Sequence, residues 1–158
     1  MKYIQLLKKK VIERTEGVPY LIRWNLFGIG EDSKWFSVKI HNILVSDDEC
    51  LHDHPWWFVS IILKGSYKEY RYCTEYEYLQ VARNNGLYKY DDKVGKYTIG
   101  YHYKAGNVLI RPANWAHRLE VVKPIYTLVF TFKKIRLWGF FTAKGWKKWY
   151  EYNKHTDC

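Results

Sequence analysis

Apolar and polar positions alternate along much of the chain with the two-residue period of strands. Phe36, Val38 and Ile40 alternate with Ser37, Lys39 and His41, which predicts a strand with its apolar set on one face of a sheet. Residues 57–63 are nearly all apolar, as in a strand buried on both faces. Lys64-Gly65-Ser66 then reads as a tight hairpin turn, with 67–72 as the returning strand. Residues 82–96 carry Asn84-Asn85-Gly86, Asp91-Asp92 and Gly95 and predict a polar loop. Further strands are expected at 97–103, 107–111, 117–121 and 125–132. A short helix is expected at 2–10, and the aromatic stretch 137–152 suggests a strand and then a short closing helix. Many short strands with few helix signals indicate an all-β sandwich or barrel.

Composition narrows this picture. The 158 residues suffice for one domain, and no repeat or linker divides them. An apolar fraction of 47% with 19% aromatic residues excludes a disordered polymer. The formal charge of +10 favours anionic partners, but the lysines follow no one-sided spacing that would define a nucleic-acid stripe. Trp146-Lys147-Lys148-Trp149 has the makings of a base-stacking surface. The same pattern fits an amphipathic closing helix, tryptophans inward, which is the preferred reading. Cys50, Cys73 and Cys158 cannot all pair within one chain, and their wide spacing suggests free thiols in a reducing compartment. With no signal-peptide pattern and no apolar run long enough to span a bilayer, a soluble cytoplasmic protein is expected.

The candidate chemistry lies in two segments. In His52-Asp53-His54-Pro55-Trp56 the histidines stand two apart, so in extended backbone they project to the same side and can share one transition metal. The segment Gly106 to His117, with Pro112-Ala113-Asn114 between, brackets a strand and a turn, and His117 supplies a third imidazole.

These segments resemble the two signature motifs of the cupin superfamily. His52, His54 and Gly65 match the first, and Gly106, Pro112 and His117 match the second in register. More narrowly, the chain is similar to uncharacterised bacterial and phage single-domain cupins with a His-x-His-Pro-Trp motif, through Leu51–Trp56, Gly65–Glu69, Arg111–Leu119 and the Trp138–Trp149 tail. The resemblance implies a cupin-type double-stranded β-helix, or jelly roll, over residues 1–158 as a single domain with minor terminal helices. It also implies a homodimer as the default assembly. Two positions depart from the motifs: Phe58 stands where the family places a glutamate ligand, and Asn114 stands where it has glycine. Asn tolerates a left-handed backbone better than most residues. A centre of His52, His54 and His117 without the glutamate keeps more coordination positions open. Thiol dioxygenases of the cupin class use three histidines, so the resemblance implies iron(II) first, with zinc, nickel or manganese as alternatives.

Other residues are read against plainer roles. Tyr67, Glu69 and Arg71 alternate on one strand face that would look into the barrel. Glu69 is then a displaced fourth ligand or a proton-handling group with a raised pKa, against a surface carboxylate. Arg111 is a clamp for an anionic substrate, against a structural arginine. Tyr67 and Trp115 are candidate substrate contacts, although Trp115, like Trp56, Trp57 and Phe58, fits a core role. Asp53 alternates against the histidines and suits a supporting or surface position, Cys50 is a remote candidate ligand, and His41, His102 and His155 lack a motif. The function expected is a mononuclear three-histidine metalloenzyme, dioxygenase-like or else an isomerase or lyase, acting on a small anionic substrate. Two other readings stay open: a non-catalytic module binding a small or nucleotide-derived anion, and a scaffold for protein interaction.

Overall fold

The structure, a computed structural model, describes residues 8–15, 17–28 and 35–158. Its strands are β1 (Lys8–Thr15), β2 (Val18–Phe27), β3 (Phe36–Ile43), β4 (Phe58–Lys64), β5 (Ser66–Tyr72), β6 (Leu87–Asp91), β7 (Lys96–Lys104), β8 (Val108–Arg111), β9 (His117–Glu120), β10 (Ile125–Phe132), β11 (Gly139–Thr142) and β12 (Gly145–Lys148). One helix, α1 (Glu75–Arg83), lies between β5 and β6. A six-stranded antiparallel sheet runs in the order β1-β2-β3-β10-β4-β8, and a four-stranded one in the order β6-β7-β5-β9. Leu21, Ile43, Ile62, Leu109 and Ile125 from the larger sheet meet Tyr67 of the smaller in one buried cluster. Leu21, Ile43, Tyr67 and Leu109 of this cluster also line a cavity.

Several expectations change here. The Gly65 turn does not close a hairpin. β4 pairs with β10 and β8, whereas β5 pairs with β7 and β9, so the turn carries the chain from one sheet to the other. Gly65 sits at φ +89°, and a Cβ there would lie 2.7 Å from Ile125 Cγ2, so both backbone and space require glycine. The stretch read as a loop contains the end of α1 and all of β6. Helix α1 starts with a capping box in which Thr74 and Glu77 satisfy each other's backbone amides. Of the helix expected at 2–10, residues 8–10 begin β1 and the remainder lies outside the described residues. The tail is a β11–β12 hairpin without a closing helix, because Gly139 to Thr142 pair with Gly145 to Lys148. Asn114 does not use a left-handed backbone: among the described non-glycine residues only Asn85 has a positive φ.

The alternation in β3 is real, but its polar set faces inward. Ser37 and Lys39 are each 2% exposed, whereas Phe36 is 43% exposed. Similarly, Trp57 lies half open to solvent and not in the core. Cys50 and Cys158 form a disulfide, with Cα atoms 5.7 Å apart. Free thiols were expected, and among the cysteines only Cys73 is one. A separation of 108 residues concealed the pairing.

Candidate metal centre

Two segments distant in sequence deliver the three histidines. His52 and His54 lie in the irregular segment between β3 and β4, and His117 opens β9. His52 exchanges backbone hydrogen bonds with His117, 2.9 Å in each direction, and is bridged on its other side to Phe140 of β11. His54 N–H donates to the Ala113 carbonyl at 3.0 Å, tying the first motif to the turn of the second. The candidate ligand atoms of His52, His54 and His117 all lie within 4.8 Å of one another. The Nε2 atoms of His54 and His117 are 2.8 Å apart. Nitrogen bound to a transition metal sits at about 2 Å, so nitrogens this close are compatible with shared coordination.

The surrounding groups prepare these rings for a cation. Burial, assisted by the neighbouring imidazoles, pushes His54 well below the ordinary histidine range; burial also lowers His52 to about 4, against the opposing pull of Asp47. Both rings are therefore neutral at physiological pH, as metal ligation requires. His117 Nδ1 lies 2.6 Å from Glu69 Oε1. When it donates its proton there, Nε2 keeps its lone pair pointed at the other two rings. Asp47 Oδ2 lies 3.9 Å from His52 Nδ1. Asp47 is itself fixed by the Leu119 amide at 2.6 Å and by the Tyr20 hydroxyl. Phe58, at the glutamate position of the family motif, packs edge-on against His54 with ring centroids 4.7 Å apart.

Glu69 is almost wholly buried and accepts from three donors besides the His117 ring, Arg111 Nε at 3.0 Å, Arg111 Nη2 at 2.5 Å and Trp115 Nε1 at 3.0 Å, and the same guanidinium also reaches the Tyr103 hydroxyl.

 In all, the two carboxylate oxygens take four hydrogen bonds, two from Arg111 and one each from Trp115 and His117, and the Tyr103 contact belongs to the guanidinium alone. Burial pushes the Glu69 carboxyl up, but the bonds from His117 and Arg111 outweigh it and hold the pKa at about 2. The raised value expected of a proton-handling acid is thus reversed. Arg111 has its guanidinium on Glu69, the Ile110 carbonyl and Tyr103, and its carbon lies 4.6 Å from the Trp115 ring centre.

The histidines open onto a cavity of about 680 Å³. Tyr67, Glu69 and Arg111 line it; the described lining residues do not include Trp115, which stands behind Arg111. Lys10, Arg23, Lys39, Arg111 and Lys134 are its basic residues, against the acidic Glu13, Asp47 and Glu69.

His41, without a motif in the sequence, also lines this cavity and accepts a hydrogen bond from Arg23 Nε at 3.1 Å. Burial, with Arg23 and Lys39 nearby, lowers its pKa to about 3. The signal that could have found it is the alternation Ser37, Lys39, His41, read with the opposite face inward. Asp53 is fully buried and away from the rings. It accepts from Gly139 N–H at 2.8 Å and Trp146 Nε1 at 3.1 Å and pairs with Arg136 at 2.9 Å, so it fastens the tail hairpin to the histidine segment. Cys50 is taken up by the disulfide and ligates nothing.

No protein-family model and no curated protein sequence matches the chain. Its fold does match solved structures. It is similar to the polyketide cyclase RemF from Streptomyces resistomycificus, at 14% identity, covering 87% of each chain with a TM-score of 0.51. An RmlC-like cupin protein from Ralstonia eutropha matches at 12% identity, over 90% of this chain and 76% of that one, with a TM-score of 0.50. Streptomyces albus HEPD, solved with 2-hydroxyethylphosphonate and Fe(II) bound, matches at 10% identity, over 81% of this chain and 24% of that one, with a TM-score of 0.52. The architecture is the all-β cupin fold.

Proposed function

We propose that this chain is a mononuclear metalloenzyme in which His52, His54 and His117 hold one divalent transition metal and a small anionic substrate is converted in the adjoining cavity. The observation that carries this reading is the convergence of the three imidazoles, two of them with Nε2 atoms 2.8 Å apart, at the wall of a cavity with a basic excess. Iron(II) is the first candidate, supported by the all-imidazole donor set and by the Fe(II) bound in the similar fold of HEPD. A metal held by three neutral ligands keeps positions open and supplies Lewis acidity or, for iron, one-electron chemistry with oxygen. Oxygenation is therefore the leading reaction class.

The roles of the chain's own residues follow from their contacts. Glu69 orients His117 and holds the Nδ1 proton away from the ligand face. Arg111 neutralises Glu69 and fixes its two oxygens. This pair is best read as positioning machinery, since a direct part in proton transfer or substrate clamping requires the two to release each other. Tyr67, on the cavity wall, remains a candidate substrate contact.

The test is metal analysis of protein purified with iron, zinc or manganese supplied separately, followed by oxygen-consumption assays with small carboxylates, phosphonates and thiols. One equivalent of metal in the wild type and loss of it in His117→Ala and His54→Ala is expected. Full metal occupancy in both variants overturns the reading.

A further inference from the structure

The inner face of the six-stranded sheet is built in cross-strand rows. In one row Ser37 of β3 faces Thr131 of β10, which faces Phe58 of β4, which faces Arg111 of β8. This row ends beneath the metal centre, where Phe58 meets His54. In the next row Lys39 faces Val129, which faces Ser60. Lys39 Nζ reaches across to donate to Thr131 Oγ1 at 3.1 Å and lies 4.8 Å from the centre of the Trp56 ring. The Ser37 and Thr131 hydroxyls are 2.7 Å apart. Lys39 thus lines the cavity while being only 2% exposed.

A cation withdrawn from bulk water into a cavity wall projects a field that solvent screens weakly. An anion entering the cavity feels it strongly. The Arg23–His41 pair forms part of a third row, beside Lys39, and adds charge of the same sign. Arg111, the side chain whose chemistry first offered itself for anion recognition, is committed to Glu69.

We propose that Lys39, with the Thr131 hydroxyl that Ser37 holds through a hydrogen bond, forms an oxyanion subsite in the cavity, whose lining includes Lys39 and Thr131. It takes the carboxylate or phosphate-type group of a small ligand whose other end reaches the three histidines. Only that second clause rests on the metal-centre reading; the anion site itself stands without it. An ammonium beside a hydroxyl suits either oxyanion, since together they offer donors to more than one oxygen without demanding the planar fork of a guanidinium.

Calorimetric titration of inorganic phosphate and of acetate, into protein loaded with one equivalent of zinc and into EDTA-treated protein, tests the proposal and tells the two oxyanions apart. The wild type is expected to bind at least one of them in both forms. Lys39→Met, which keeps the chain length without the charge, is expected to weaken that binding about tenfold or more while retaining the zinc stoichiometry. His117→Ala is expected to lose zinc and keep the anion affinity of the EDTA-treated wild type. No anion binding by the wild type, or equal affinity in Lys39→Met, overturns the subsite whatever the zinc result. A wild type that binds anion but not zinc instead overturns the metal reading alone. Should Lys39→Met fail to fold, Thr131→Val decides: about threefold weaker binding is expected, and unchanged affinity overturns the subsite.

Discussion

Glu69 shows how much one buried side chain controls. Its carboxylate is 2% exposed and satisfies Arg111, Trp115 and His117 together. Replacing it with alanine strands the Arg111 charge and frees the His117 ring. A loss of about 3–5 kcal/mol is expected in denaturant unfolding, together with weaker metal binding. His41 makes a separate prediction about pH. Its folded pKa, about 3, lies below the ordinary histidine value of 6.5, so the unfolded chain binds the extra proton first. Stability associated with His41 is therefore complete above pH 6.5 and is lost as pH falls toward 3. A His41→Gln variant that folds should lose stability less steeply across that window; an unchanged pH slope would show that His41 does not contribute. Which residues gather at the candidate site was partly visible in the sequence: the His-x-His pair and His117 stand in recognisable motifs. His41 and Asp47 have no such spacing, because contacts between distant strands create their roles.

At the scale of elements, strands β7 to β10 follow closely from the sequence pattern, β10 to the residue. What alternation does not give is pairing. Gly65 looks like a hairpin residue, yet it serves a crossing between sheets, since the partner of each strand is settled by distant segments. Gly65→Ala should cost at least about 1–3 kcal/mol, because it adds backbone strain at positive φ to a clash with Ile125; a melting temperature matching the wild type would contradict that account. Helix α1 was missed although Thr74 and Glu77 spell its capping box. The tyrosines and valine within it resemble strand composition, and the helix buries no residue fully, so its apolar pattern is weak.

Across the whole molecule, the tail and the histidine segment form one unit. Asp53 binds the hairpin, the Cys50–Cys158 disulfide closes the chain on itself, and Trp138 and Trp149 stack beside the cavity with ring centres 6.0 Å apart. The bond links residues 108 apart, a separation at which chain entropy predicts about 4–5 kcal/mol of stabilisation. Treatment with a dithiol reductant, or Cys158→Ser, should lower the unfolding midpoint accordingly and raise amide exchange in residues 149–158. A midpoint insensitive to both would show that the disulfide does not form in solution.

Local sequence determined that this chain would be all-β and that His52, His54 and His117 would be candidates for one centre, with Phe58 where the motif they resemble has glutamate. These features follow from side-chain period and short motifs, which are local. Tertiary structure alone decided which face of β3 turns inward, that Arg111 spends its charge on Glu69, and that Cys158 returns to Cys50. Each of these depends on which distant strands enclose a side chain, and a two-residue period distinguishes two faces without saying which of them meets the cavity.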